Sequence, residues 1–528
     1  MSELSNSFRS WVPEWLIRVI LFSSLMPSMM LFFLPGINLQ ATAGFYGSQP
    51  NDAQFLIVLF YAGFAGFYVL ERRFFQFFQI KTYYILFHGL QLLNCMLMYW
   101  IKDIWWIYPL RVFQGMLFAS AVILSISMIF SRMESSKAKI GSYSVFFGLL
   151  LVSSPFNNLV FSSFVDDINF KQLYAFAALS FLPGFFLIAF LMKHVKHQRP
   201  FPLYKLDWAS FILYLTIFCC LGYMAVYGQE MYWFSSYKII FCTFLIVISF
   251  LLFRWRQKHN KRMYIQFDIF KSKRFWMGCF VLFVMYIERF SITLTNQHFS
   301  LVYGLDPEHL SYLNVFDIIG ITIGVIVASK WTLTKVPIKY IWICGFFFLF
   351  IFHWLMFNRF VGQADEDRYW APLLAHGVGV GLIMVPTILF AISTVREQFS
   401  VSAAAICLGI RFLGYVAFIL IINYFELAHR SIHFEHYRQV ITADNTLVHD
   451  QIALRSNELI SHGLQYNQQQ TALKELYKDV YQQAQIRTAM DFYEYMMLVS
   501  ACMIVTILLF PTLKFRYEKW REMKIAPV

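Results

Sequence analysis

An all-α polytopic membrane protein with fourteen membrane-spanning helices is the fold class this sequence predicts, and three observations predict it. Apolar side chains make up 59% of the 528 residues against 14% charged, a balance too apolar for a soluble chain folded around one core. Segments of roughly 20 apolar residues, the length that crosses a bilayer core as a helix, recur fourteen times. Between them, connectors rich in Lys and Arg alternate with connectors that hold few, the bias that orients such helices.

The spans are expected at 15–36, 53–70, 82–101, 105–130, 140–162, 172–192, 207–227, 236–253, 275–297, 309–329, 338–358, 369–393, 400–423 and 492–512. Connectors after even-numbered spans carry Arg72, Arg73 and Lys81, then Arg132, Lys137 and Lys139, then Lys193, Lys196, Arg199 and Lys205. The longest, 254–274, holds Arg254, Arg256, Lys258, Lys261, Arg262, Lys271, Lys273 and Arg274 and is long enough to lie along the membrane surface. Opposite loops hold only Lys102, Lys171, Arg359 and Arg368. Both termini are therefore expected in the cytoplasm, and the formal +13 is mostly topogenic. Nucleic-acid binding is excluded on the same ground, since no soluble basic face exists to carry it. Residues 1–10 lack a cleavable-signal pattern. All eight cysteines fall inside spans with no CxxC pair or metal spacing, so no disulfide is expected.

Two departures from short loops stand out: the 254–274 connector and a polar external insertion, 424–491. Within the insertion, Leu473, Leu476, Val480 and Ala484 recur at helical spacing, which predicts an amphipathic helix over 471–488 and a helical hairpin overall.

Local motifs then carry a resemblance. Arg111-Val112-Phe113-Gln114-Gly115 in the fourth span looks like the RxxQG signature of major facilitator antiporters. Leu206-Asp207-Trp208, Gly228-Gln229 and Trp233-Phe234-Ser235-Ser236 resemble the turn between two extra central helices of a fourteen-helix group, and Ile410-Arg411-Phe412-Leu413-Gly414 is similar to its RxxG stretch. Together with the last long external loop, these resemble the drug:proton antiporter family of the EmrB/QacA type, within the major facilitator superfamily. The family's first-span acid is absent here, where Leu34-Pro35-Gly36-Ile37-Asn38-Leu39-Gln40 stands. Its fifth-span motif is reduced to Ser154-Pro155-Phe156-Asn157-Asn158, and Leu70-Glu71-Arg72-Arg73 replaces its loop after span 2. The resemblance implies two six-helix bundles, 1–193 and 275–528, with two helices and the basic connector, 194–274, between them. It also implies export of lipophilic compounds, cationic ones among them, across the inner (plasma) membrane in exchange for protons. A periplasmic adaptor and an outer-membrane channel follow as partners, the 424–491 insertion serving as the docking point.

Ionisable residues inside spans cost about 2.5–3.5 kcal/mol each on insertion scales, so they face a cavity or a partner. Arg111, Glu288, Arg289, Asp317 and Arg411 qualify. A carboxyl that titrates near working pH can load and release a proton, which makes Glu288 the first candidate for coupling and Asp317 the second. The bland alternative for Glu288 is an ion pair with Arg111 or Arg411. Arg289 is not its partner, because adjacent helical residues diverge by about 100°. Arg111 and Gln114 share a helix face and are expected as a cavity-lining pair, against the alternative of Arg111 bonding backbone carbonyls. Asn38 and Gln40, assigned to the first span, with Asn94, Asn157 and Asn158, offer uncharged contacts to cargo or to neighbouring helices. His88, His353 and His376 are read as satisfied buried histidines. His429, His433 and His436 with Glu435 have helix-compatible spacing but are read as solvated, so no metal is expected. No phosphate-binding loop, GxSxG or HExxH occurs, so neither an enzyme nor a cofactor is expected, and an ion gradient is left as the energy source. The remaining functional classes are an exporter of a lipid-like metabolite or siderophore, with Arg111 and Arg411 on its acid groups, and a sensor on the same scaffold. Phe, Tyr and Met are expected to line the cavity.

Overall fold

In hydrocarbon a backbone satisfies its own N–H and C=O groups only as a helix or a closed barrel, and every long apolar segment here is helical. The computed structural model describes residues 7–133, 135–167, 170–195, 202–260, 263–360, 365–442, 444–461 and 467–511, the side chains of 163–167 aside. Lys196, Arg199, Lys261, Arg262, the start of the 465–470 run and the end of the last span lie outside the described residues.

The first half contains α1 (Glu14–Phe33), a short α2 (Leu39–Tyr46), α3 (Pro50–Phe75), α4 (Ile80–Trp100), α5 (Ile104–Ser131), α6 (Ser136–Asp167) and α7 (Phe170–Leu191). Between the halves come α8 (Trp208–Tyr227) and α9 (Tyr237–His259). The second half runs α10 (Lys273–Phe290), α11 (Ile292–Leu301), α12 (Pro307–Leu333), α13 (Ile338–Phe357), α14 (Trp370–Thr394), α15 (Ser400–Val440), α16 (Thr446–Ser461) and α17 (Gln468–Leu509). Among the described residues, 13 helices are long and apolar enough to cross a membrane, α10 and α11 together making one of them. The fourteenth, α4, equals them in length, and its lower hydropathy comes from buried His88, Gln91 and Asn94.

The halves touch where α3 meets α15 and where α6 meets α12. α8 packs on both α3 and α15, covering that junction, whereas α9 leans on α8. Phe241, Phe244, Phe250 and Leu251 of α9 are exposed, a lipid-facing surface. Polar clamps fix the inserted pair at both ends. Tyr108 and Tyr227 hydroxyls both donate to Asp52, the capping-box residue of α3. At the opposite end Asp207 accepts from Ser210, Arg256 and Asn260.

Four expectations need correcting. The ninth span is broken: Ser291 Oγ donates to the Glu288 carbonyl at 2.6 Å, diverting it from the helical ladder, and the chain restarts as α11. Asn38 and Gln40 lie beyond the first span, Asn38 as the N-cap of α2 and Gln40 within it. The basic connector is shorter than a surface segment, because α9 keeps Arg254, Arg256 and Lys258 helical and Tyr264 and Ile265 are buried against the bundle. The 424–491 insertion is helical, as expected, yet mostly not a separate hairpin. With no Gly or Pro over 424–440 or over 468–509, α15 and α17 run on for 41 and 42 residues, each about 60 Å, and α16 lies between them. In that stretch Ala472 and Ala484 are buried while Leu473 is exposed.

Candidate functional site

The site is assembled by helices that end, break or lose a hydrogen bond inside the membrane. Each proline removes the N–H that would serve the carbonyl four residues earlier. Pro35 so strips Leu31, and Pro155 strips Leu151. Both carbonyls receive an arginine instead. Arg111 Nη1 donates to the Leu31 carbonyl at 3.0 Å, Nη2 to Phe32 at 3.0 Å, and Nε to Leu56 at 3.2 Å. Arg289 Nη2 donates to the Leu151 carbonyl at 3.3 Å, and Nη1 to the Tyr286 hydroxyl at 3.3 Å. Arg289 sits on α10 and Leu151 on α6, so this bond links the two halves.

His376 of α14 is held at both ring nitrogens. The Arg289 carbonyl, at the end of α10, can only accept, so His376 Nε2–H donates to it at 3.0 Å. Nδ1 then faces Asp317 Oδ1 of α12 at 2.7 Å. Two bare lone pairs cannot sit at that separation, so one proton resides in the contact, on the imidazole or on the carboxyl. Both side chains are nearly inaccessible, at 2% and 5%, yet they line the inner end of a cavity of about 480 Å³. That cavity extends past Arg289, Ser154 and Asn158 to exposed Gln40, Ser300 and Leu301 at the insertion end. Its lining includes Asn38, Asn296 and Gln297. Among the described residues, the expected Phe, Tyr and Met lining is reduced to Phe290.

Toward the basic end the path is shut. Phe218 stacks on Phe412 at 4.4 Å, Tyr61 meets Phe412 edge-on at 5.5 Å, and Gly148 of α6 packs on Val325 of α12. A space of about 20 Å³, lined by Tyr68, Tyr143, Phe147 and Arg411, lies there.

The other expected site residues distribute as follows. Glu288 is fully buried and does not line the cavity; Ser500 Oγ of α17 donates to its Oε2 at 2.7 Å, and His353 Nε2 of α13 lies 3.7 Å away. Neither Arg111 nor Arg411 is its partner, and the adjacent Arg289 points elsewhere, as the helical geometry requires. Among the described residues, its Oε1 and both His353 nitrogens have no hydrogen-bond partner. Phe352 packs on both His353 and His376, at 5.0 and 4.8 Å. Arg111, fully buried, does meet Gln114, at 2.6 Å, but the pair is sealed between α1, α3 and α5, away from the cavity. Arg411 Nε donates to the Tyr286 hydroxyl at 2.7 Å. Asn94 and Asn157 donate to the Leu110 and Met30 carbonyls, tying helices together, whereas Asn158 lines the cavity. Sequence reading missed the His376–Asp317 pairing and the roles of Ser500 and Tyr286. A proline four residues after Leu31 and Leu151 was the available signal for the arginine bonds.

Two six-helix halves meeting at α3–α15 and α6–α12 around a cavity, with two helices inserted, define the major facilitator fold. Solved structures of that fold match nearly end to end. A POT family transporter in complex with 5-aminolevulinic acid shares 12% identity over 96% of this chain and 98% of its own, TM-score 0.56. A bacterial homologue of the human lysosomal transporter Spinster shares 12% over 98% and 100%, TM-score 0.52. The proton:xylose symporter XylE shares 10% over 91% and 96%, TM-score 0.51. At such identities the likeness is one of fold, and the drug:proton antiporter resemblance rests on the motifs alone. No protein-family model matches the chain, and no curated protein matches it.

Proposed function

We propose that this chain is a proton-coupled secondary transporter working by alternating access, with Asp317–His376 as the proton-exchanging pair. The observation that carries this reading is the 2.7 Å contact between His376 Nδ1 and Asp317 Oδ1 at the inner end of a solvent-reaching cavity, a separation that calls for a proton between the two atoms. Removing it leaves a carboxylate facing a lone pair and forces the contact apart. His376 also grips the Arg289 carbonyl, and the Arg289 side chain bonds the other half through Leu151. Proton loss is thereby felt where the halves meet, the joint about which such bundles rock. Glu288 is a second candidate proton carrier behind it: a bare charge there would be uncompensated, since His353 Nε2 lies 3.7 Å away, beyond hydrogen-bond reach, and a proton on the carboxyl relieves that.

The lining is largely Leu, Ile and Pro, and the amides Asn38, Asn158, Asn296 and Gln297 with Arg289 and Asp317 set in it support a cargo that carries a polar or zwitterionic group. A second reading, export of lipophilic compounds through an adaptor and outer-membrane channel, is favoured by the motifs and by α15 and α17 projecting beyond the bundle. Liposomes carrying the purified protein and an internal pH dye, challenged with amino acids, dipeptides, monocarboxylates and ethidium, separate the two. Proton movement driven by a polar solute, and lost in Asp317→Asn, is expected. If no solute moves protons, or if flux survives in both Asp317→Asn and Glu288→Gln, the coupling assignment fails. Ethidium-driven flux would favour the second reading, and deletion of 440–480 with unchanged adaptor capture would remove its docking role.

A further inference from the structure

We propose that His429, His433 and Asp491 form a binding site for a divalent transition-metal ion of the zinc class, clipping α15 to α17 at the insertion end. His429 and His433 are four apart on α15 and so share a face, and Asp491 reaches them from α17. His429 Nδ1 lies 3.0 Å and His433 Nε2 2.8 Å from the same oxygen, Asp491 Oδ2. The three donor atoms all lie within 4.8 Å of one another. A tetrahedral ion with bonds of about 2.0–2.1 Å sets its donor atoms roughly 3.3–3.4 Å apart, so sub-ångström shifts would seat one.

Without an ion, both rings donate N–H to the Asp491 carboxylate. An ion at the centre takes the lone pairs of those same nitrogens, and each ring proton moves to the outward nitrogen. Phe425 stacks on His429 with ring centroids 3.8 Å apart and an interplanar angle of 11°, which fixes one imidazole in its aim. Side-chain exposures of 26%, 22% and 30% leave a solvent path to the site. Two imidazoles and one carboxylate suit zinc, cobalt or nickel; magnesium and calcium want an all-oxygen shell. Three protein donors leave a fourth position for water or an external group. Glu435 is not part of the set, since it pairs with Arg438 at 3.3 Å, and His436 is exposed. The ion would join helices whose inner stretches carry Arg411 and Ser500, the latter bonded to Glu288. The site stands on its own geometry and does not rest on the transport reading.

The test uses the full-length protein in detergent, stripped with chelator and titrated with Zn²⁺ and with Co²⁺. Expected are one ion per chain, tetrahedral-type Co²⁺ absorption displaced by Zn²⁺, a higher melting temperature with Zn²⁺, and no response to Mg²⁺. Asp491→Asn, His429→Gln and His433→Gln should each weaken binding by about tenfold or more, while His436→Gln binds as the parent does. Metal-free melting of each variant shows whether it folds, and any one that folds suffices. No saturable micromolar binding, or binding that persists in a folded Asp491→Asn/His433→Gln variant, would overturn the proposal.

Discussion

Arg111 and Arg289 show one rule at work twice: a proline takes a donor away and an arginine from another helix restores it. In the apolar interior an unserved carbonyl costs about 1–3 kcal/mol. Arg111→Met should therefore lower the melting temperature, and Pro35→Ala, which returns an N–H to the Leu31 carbonyl, should recover part of the loss. The double variant should be more stable than the sum of the single effects; strict additivity would mean that the two residues do not share that carbonyl. Arg111 was legible as a buried charge needing partners, but its place in a cavity-lining pair was not upheld by the geometry. Its donors reach carbonyls on α1 and α3, about 55 to 80 residues away in the chain, and side-chain type alone cannot show which carbonyls lie within reach. Asp317 and Glu288 were legible as the rare acids of the spans; that only Asp317 would border water depends on how α10 and α12 are rotated.

At the scale of helices, close approach sets the tolerances. A Cβ on Gly115 would sit 2.0 Å from the Phe60 carbonyl oxygen, and one on Gly63 would sit 2.2 Å from that of Val112. The glycine of the RxxQG motif thus lets α3 and α5 touch backbone to backbone. Gly115→Val should abolish recovery of folded, monodisperse protein, whereas Gly89→Val, which has open space, should not; equal yields would contradict the packing. The α8–α9 clamp carries a pH dependence. Burial by itself would raise the Asp207 carboxyl, but hydrogen bonds from Ser210 and Arg256 outweigh it and hold the group below its ordinary 3.8. A carboxyl lowered on folding adds stability that is fully present above 3.8 and lost as pH falls through the folded value. Melting midpoints should fall in that acid window, and Asp207→Asn should flatten the fall; an identical profile in the variant would remove the clamp's role. Thirteen spans were legible from length and hydropathy together, and α4, lowered by His88, Gln91 and Asn94, from its length. The break at Ser291 was not, since one serine bond to its own helix leaves no hydrophobic signature, and neither was the continuation of α15 and α17 through polar sequence.

The whole molecule is a two-half bundle open toward the insertion end and shut by aromatic packing at the basic end. Composition and charge alternation foretold the spans, and the family resemblance implied the two bundles with two helices inserted between them. Neither showed that the paired ionisable groups would gather in the second half. Asp317, His376, Arg289, His353 and Glu288 come from α10, α12, α13 and α14, all in the second half, and only the Leu151 carbonyl speaks for the first. The central claim is that the Asp317–His376 proton governs which end is open. Placing a cysteine at Ser154 on the cavity wall and measuring its reaction rate with a membrane-impermeant maleimide across pH tests this directly. A pH-dependent rate that becomes pH-independent in Asp317→Asn is predicted. A rate that ignores pH in the parent, or keeps the same pH dependence in Asp317→Asn, would contradict the account.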